Sequence, residues 1–280
     1  MKATVGENNK RILSLLSEYL NFMPDAITPE LIRETCRECS VSEEEAFRIL
    51  FCGICDIYGD KELRRGWISK MFYRLSMEVY ERDPYRQTVD FPCVKDGEWE
   101  LYYGSYKPYE AFVYDDIRTD GEGRLLPSIG FFDREYTFPA VRQGGREWML
   151  ITPNEIETMR EPIERAFGNV ATYGLGLGYF AFMAARKESV ESVTVVERDP
   201  SVIRLFEKHI LPSLPCRDKI RLVLADAFEY AESNNRHDYV FADIWHDPSD
   251  GCRAYLRLKS LEREGTVYSY WIEKTLRLYL

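Results

Sequence analysis

Tyr173-Gly174-Leu175-Gly176-Leu177-Gly178 lies between the apolar run Val170 to Tyr173 and a second run, Tyr179 to Arg186. Three alternate glycines at such a place let the backbone bend tightly from a strand into a helix. They also leave the amide groups of the helix N-terminus open to a ligand. Strand-like and helix-like segments then alternate outward from this loop: Ser192 to Glu197, Ser201 to Ile210, Ile220 to Leu224, Ala227 to Ala231 and Tyr239 to Asp243. Alternation of this kind predicts parallel strands joined by right-handed crossovers, a Rossmann-like doubly wound α/β sheet. Gly265 to Trp271 would supply a fifth strand.

In such a sheet, ligands bind outside the carboxyl ends of the strands. Glu197 closes the run Val193 to Val196 and is placed to accept ribose hydroxyls. Asp226 closes the next run, Leu222 to Ala225, where it could accept a hydrogen bond from an adenine amino group. A plainer role is open to Asp199 and Asp226, since each could cap a helix. A nicotinamide fingerprint wants Gly-x-Gly-x-x-Gly, whereas here Gly178 comes one residue early, which argues against a dehydrogenase.

The preceding sequence reads as two further segments, giving boundaries at 1–82, 83–150 and 151–280. Residues 8 to 80 show helical spacing, with capping signals at Thr28-Pro29-Glu30 and Ser42-Glu43-Glu44-Glu45, and form a helical N-terminal subdomain. From Asp83-Pro84 short β-type runs take over, Thr88 to Val94, Trp99 to Tyr103 and Ala111 to Tyr114. Turn signals at Asp96-Gly97 and Asp120-Gly121-Glu122-Gly123 separate them, predicting a small antiparallel β region.

Net charge is −10, and 31 acidic against 22 basic residues fall within residues 1 to 165. Acidity of this degree disfavours nucleic acid as a partner and suits a small or cationic substrate. No apolar run approaches the length of a membrane span and no signal segment opens the chain, so a cytoplasmic location is expected. Seven cysteines include the pairs Cys36/Cys39 and Cys52/Cys55. Cys-x-x-Cys pairs can chelate zinc. These, however, fall on helix faces where cysteine serves as a small hydrophobe, and no metal is expected.

The glycine loop resembles that of the class I S-adenosylmethionine-dependent methyltransferases, and specifically of their spermidine-synthase-like branch. So do Val193-Thr194-Val195-Val196-Glu197-Arg198-Asp199-Pro200, Asp226-Ala227-Phe228-Glu229-Tyr230 and Tyr239-Val240-Phe241-Ala242-Asp243. The resemblance covers about residues 150 to 270. It implies S-adenosyl-L-methionine as cofactor, with Tyr173, Gly174, Gly176 and Gly178 around the methionine moiety, Glu197 on the ribose, and Asp226 with Ala227 at the adenine. Asp243 and the loop behind it would face the substrate.

Spermidine synthases follow this strand with Asp-x-x-Asp-Pro, whereas this chain has Asp243-Ile244-Trp245-His246-Asp247-Pro248, one residue longer. Family members also usually finish with a sixth and a seventh strand, for which little sequence remains. The expected activity is therefore methyl transfer to a small, cationic amine substrate, with Asp243, His246 and Asp247 as catalytic candidates. Aminopropyl or aminocarboxypropyl transfer is the alternative. A noncatalytic nucleotide-binding or assembly module, with the loop closed by residues such as Trp245 and Tyr179, is the reading from another class. Trp148, Asn154 and Glu157 are placed to close over the ligand, and an incomplete sheet edge invites pairing into a homodimer.

Overall fold

The computed structural model describes residues 3–233 and 235–280. In chain order the elements open with helices α1 (Val5–Phe22), α2 (Pro29–Cys39), α3 (Glu43–Ile54) and α4 (Lys61–Gly66). Strand β1 (Phe72–Arg74), helices α5 (Met77–Glu81) and α6 (Pro84–Thr88), and strands β2 (Val94–Asp96) and β3 (Trp99–Tyr106) follow. Next come β4 (Phe112–Thr119), β5 (Leu125–Phe131), β6 (Tyr136–Gln143) and β7 (Arg146–Leu150). The remainder alternates: α7 (Pro153–Arg165), β8 (Gly168–Tyr173), α8 (Tyr179–Ala185), β9 (Val190–Glu197), α9 (Pro200–His209), β10 (Ile220–Leu224), α10 (Ala227–Glu232), β11 (Tyr239–Ala242), α11 (Pro248–Ser260), β12 (Val267–Tyr270) and α12 (Glu273–Leu278).

The chain divides into two compact units, one of residues 1–78 and 105–137, the other of 79–104 and 138–280. The first unit takes its helices from the capping signals in the sequence. The Thr28 hydroxyl accepts the Leu31 amide with Pro29 at the first helical position, and Ser42 accepts the Glu45 amide. These helices do not form a core alone. Ile12, Tyr19, Phe47, Phe51, Trp67 and Phe72 pack in one cluster with Leu126, Ile129 and Phe131 of the β region. Strand β5 pairs antiparallel with β4 and parallel with β1, so part of the expected antiparallel region is a mixed three-stranded sheet.

In the second unit, β2, β3, β6 and β7 form a sheet in that order. The strand expected over Thr88 to Val94 is confined to its last residue. Upstream, the Asp83 carboxylate accepts the Tyr85 amide and Pro84 takes the first helical position, which starts the helix α6.

The five-stranded sheet is wholly parallel in the order β10-β9-β8-β11-β12, as the alternation predicts. From the central β8 the chain winds outward through β9 and β10, then returns to the other side as β11 and β12. The reversal places a crevice at the carboxyl ends of β8 and β11. Here Gly174 has φ +94, and a Cβ on it would lie 2.1 Å from the backbone oxygen of Asp243. Both constraints admit only glycine. Gly174→Ala is expected to destabilise the protein by more than about 2 kcal/mol in urea unfolding, combining positive-φ strain with a backbone clash.

Candidate functional site

The glycine loop closes on the carboxylate at the end of the neighbouring strand. Glu197 Oε2 accepts the Leu175 amide at 3.1 Å while its Oε1 accepts the Asp199 amide at 2.8 Å. One carboxylate thus fixes the loop after β8 and the turn after β9. Asp199 Oδ1 then caps α9 by accepting the Ser201 amide at 2.7 Å.

Asp226 caps α10 in the same manner, its Oδ1 accepting the amides of Phe228 and Glu229 at 2.8 and 3.2 Å. Its second oxygen has no hydrogen-bond partner among the described residues. Ala227, the first residue of α10, is buried. Tyr173 is buried at the end of β8 with its ring 6.2 Å from that of Tyr230, and its carbonyl accepts the Asp243 amide at 2.9 Å.

Two groups of residues that the sequence does not single out complete the surroundings: Met149, Tyr85 and Asp83 against the loop, and Glu155 within reach of the Asp243 charge. Met149, on β7, lays its thioether over Gly176, where a Cβ would come within 1.8 Å of the sulfur. The sulfur also accepts the Leu177 amide at 3.2 Å. From α6, the Tyr85 hydroxyl donates to the Leu177 carbonyl at 2.7 Å, and Asp83 Oδ2 accepts the Tyr179 hydroxyl at 2.8 Å. Tyr179 is consequently a buried support beneath the loop, and Asp83, 8% exposed, is its anchor. Burial raises the Asp83 carboxyl, while its bonds from Tyr179 and from the Tyr85 and Arg86 amides oppose that rise.

The second omission is Glu155, in the first turn of α7. Its Oε2 is buried without a hydrogen-bond partner, although the residue as a whole is partly exposed. Burial, and then the charge of Asp243, hold this carboxyl well above the ordinary range. Burial likewise pushes Asp243 up to about 7. At the carboxyl end of β11, Asp243 is thus raised by burial, and its charge opposes the ionisation of Glu155. Such a pair retains a proton near neutrality and can accept or donate one there.

His246 and Asp247 lie farther along the loop and serve the start of α11. Asp247 accepts the Ser249 amide at 2.6 Å and forms a capping box with Asp250. The His246 Nδ1 lies 3.2 Å from Asp250 Oδ2, and its ring stands edge-on to Trp148 at 5.8 Å. The His246 side chain is 63% exposed. Of the other residues considered as covers, Glu157 pairs with Arg160 at 2.8 Å and Asn154 accepts the Thr158 hydroxyl through its carbonyl. Trp245 is buried. Cys36, Cys39, Cys52 and Cys55 are free thiols, and among the described residues no group of three or more His, Cys, Asp or Glu could hold a metal ion. No helix of the described residues is long and apolar enough to cross a membrane.

No family model and no curated protein matches this chain. Solved structures do resemble it. The spermidine synthase from Thermotoga maritima aligns at 18% identity and a TM-score of 0.35, over 49% of this chain and 53% of that one. A precorrin 8w decarboxylase from Methanobacterium thermoautotrophicum aligns at 20% identity and a TM-score of 0.30, over 39% and 56%. A methyltransferase from Streptomyces caelestis aligns at 18% and 0.29, over 38% and 45%. The chain thus spans about half the length of each. Methyltransferases and spermidine synthases, the groups that the sequence resembles, are both among these neighbours.

The carboxyl pair sets a pH dependence. A carboxyl raised in the folded state contributes stability that is full in acid, and that contribution is lost as pH rises from the unfolded value through the folded one. For Asp243 the window ends at about 7. Between about pH 5 and 8, unfolding free energy should fall by an extra ~2–4 kcal/mol in the wild type relative to Asp243→Asn. Parallel urea titrations of the two proteins measure it, and coincident pH profiles would remove the desolvated pair.

Proposed function

We propose that the second unit binds S-adenosyl-L-methionine at the glycine loop and transfers its methyl group to a small amine. The observation that carries this reading is the carboxylate of Glu197 tied to the glycine loop, with Asp226 at the next strand end and the raised Glu155–Asp243 pair in the adjoining crevice. The residues fit such a cofactor. Asp226 keeps an oxygen free for an adenine amine, Glu197 stands where ribose hydroxyls would be received, and Glu155 presents an orphaned buried oxygen. Met149 lies over the loop at Gly176, and a flexible thioether rotates aside at small cost.

Bound cofactor supplies an electrophilic carbon on a sulfonium for in-line displacement. The chain's own task is to orient and deprotonate the nucleophile. Carboxylates attract an ammonium group from water, and a carboxyl raised to about 7 keeps a base ready near neutral pH. Asp243, fixed through its backbone to Tyr173 and raised by burial, is the base in this scheme, and burial together with the Asp243 charge holds Glu155 protonated.

Met149 is also what favours a second reading, a noncatalytic module whose loop is closed by its own side chain. Calorimetric titration with S-adenosylhomocysteine separates the two. Micromolar binding is expected, weakened by about tenfold or more in Glu197→Ala and unchanged or tighter in Met149→Ala. Absence of binding in both the wild type and Met149→Ala would sink the enzyme reading. Where turnover with amines is found, release of S-adenosylhomocysteine marks methyl transfer, and methylthioadenosine marks transfer of the larger group.

A further inference from the structure

The first unit contains a cleft of about 350 Å³ that the chemistry of the glycine loop leaves unused. One wall comes from α3, where Glu45, Arg48, Ile49 and Cys52 fall at helical spacing on a single face. The other comes from α4 and the turn after it, where Lys61, Arg64, Arg65 and Ile68 repeat the same spacing. A cleft of this volume is within the range that holds small organic ligands.

Its charge runs against that of the chain. Arg48 is neutralised, its guanidinium meeting Glu44 at 2.6 Å and Glu45 at 3.2 Å and donating to the Phe72 carbonyl at 3.0 Å. The remaining cations are not. Arg64 donates to the Tyr58 carbonyl at 3.0 Å and lies over the Tyr58 ring at 4.7 Å, which orients the guanidinium without cancelling its charge. Lys61 and Arg65 have no carboxylate partner among the described residues. Lys61, Arg64 and Arg65 thus line the cleft without carboxylate partners among the described residues, outweighing the one carboxylate in its wall, Glu45, in a protein whose net charge is −10. Beneath them Cys52 and Ile68 are buried, and half-buried Ile49 supplies the accessible apolar surface of the cleft. Arg64 reaches this floor closely enough for its charge to oppose the burial that raises the Cys52 thiol.

We propose that this cleft binds an organic monophosphate ester with an apolar body. Lys61, Arg64 and Arg65 hold the phosphate dianion by charge-assisted hydrogen bonds, with the guanidinium groups suited to its geometry. Ile49, with the methylene stems of the cations around it, receives the body of the ester. A phosphate alone leaves the floor uncovered, and a neutral apolar molecule leaves the three cations unused, so the chemistry selects a ligand with both parts.

The probe is 1-naphthyl phosphate, titrated into the full chain at low salt while the δ1-methyl signals of Ile49 and Ile68 are followed by NMR. Both methyls should shift and saturate. The charge reversals Lys61→Glu and Arg65→Glu, which alter exposed side chains, should each weaken binding by about tenfold, and added salt should weaken it further. Glu197→Ala should leave the affinity unchanged, which separates this cleft from the glycine loop. The proposal is overturned if the two methyls do not respond, if 1-naphthol shifts them equally, or if the shifts persist in both charge-reversal variants.

Discussion

Strands β8 and β11 are neighbours in the sheet, and at their carboxyl ends the Asp243 amide donates to the Tyr173 carbonyl while the Asp243 carbonyl occupies the space beside Gly174. That contact fixes the glycine loop from below. It makes glycine obligatory at 174 for a reason internal to the fold, since the neighbouring strand would meet any side chain. The same residue carries the carboxyl that burial raises and whose charge acts on Glu155. Backbone and side chain of one aspartate therefore join the architecture of the sheet to the acid–base character of the crevice.

The parallel sheet was legible because its segments are long, apolar and separated by turn signals, and the fifth strand appeared where Gly265 to Trp271 placed it. The site was legible only as far as strand ends reveal it. Met149 and Glu155 lie beside Trp148 and Asn154, residues that the sequence did single out. Successive strand residues point to opposite faces, so register parity decides whether Trp148 or Met149 covers the loop. On α7, Glu155 and Glu157 are separated by about 200° around the axis, which sequence position alone does not resolve. Asp83 and Tyr85 were hidden more deeply, being 96 and 92 residues from their partners on the loop. No local pattern carries such pairings.

Charge tells a similar story at two scales. Summed over the chain, acidity argues against anionic partners, yet Arg64, Arg65 and Lys61 gather where Glu44 and Glu45 are already spent on Arg48. A total cannot reveal which charges are paired. Only the pairing decides what a cleft attracts.

The chain passes between its two units after Glu78, after Gly104 and after Thr137. Residues 79–104 therefore belong with a sheet whose first strand begins at Gly168. During synthesis, the residues that will brace the glycine loop emerge well before the loop exists. Asp83 and Tyr85 remain bonded to water until their partners Tyr179 and Leu177, 96 and 92 residues farther on, have been made. Closing so long an interval costs entropy that only the assembled sheet offsets. A fragment cut at residue 151 would carry every strand of the parallel sheet and still lack Tyr85 and Asp83, on which its loop rests.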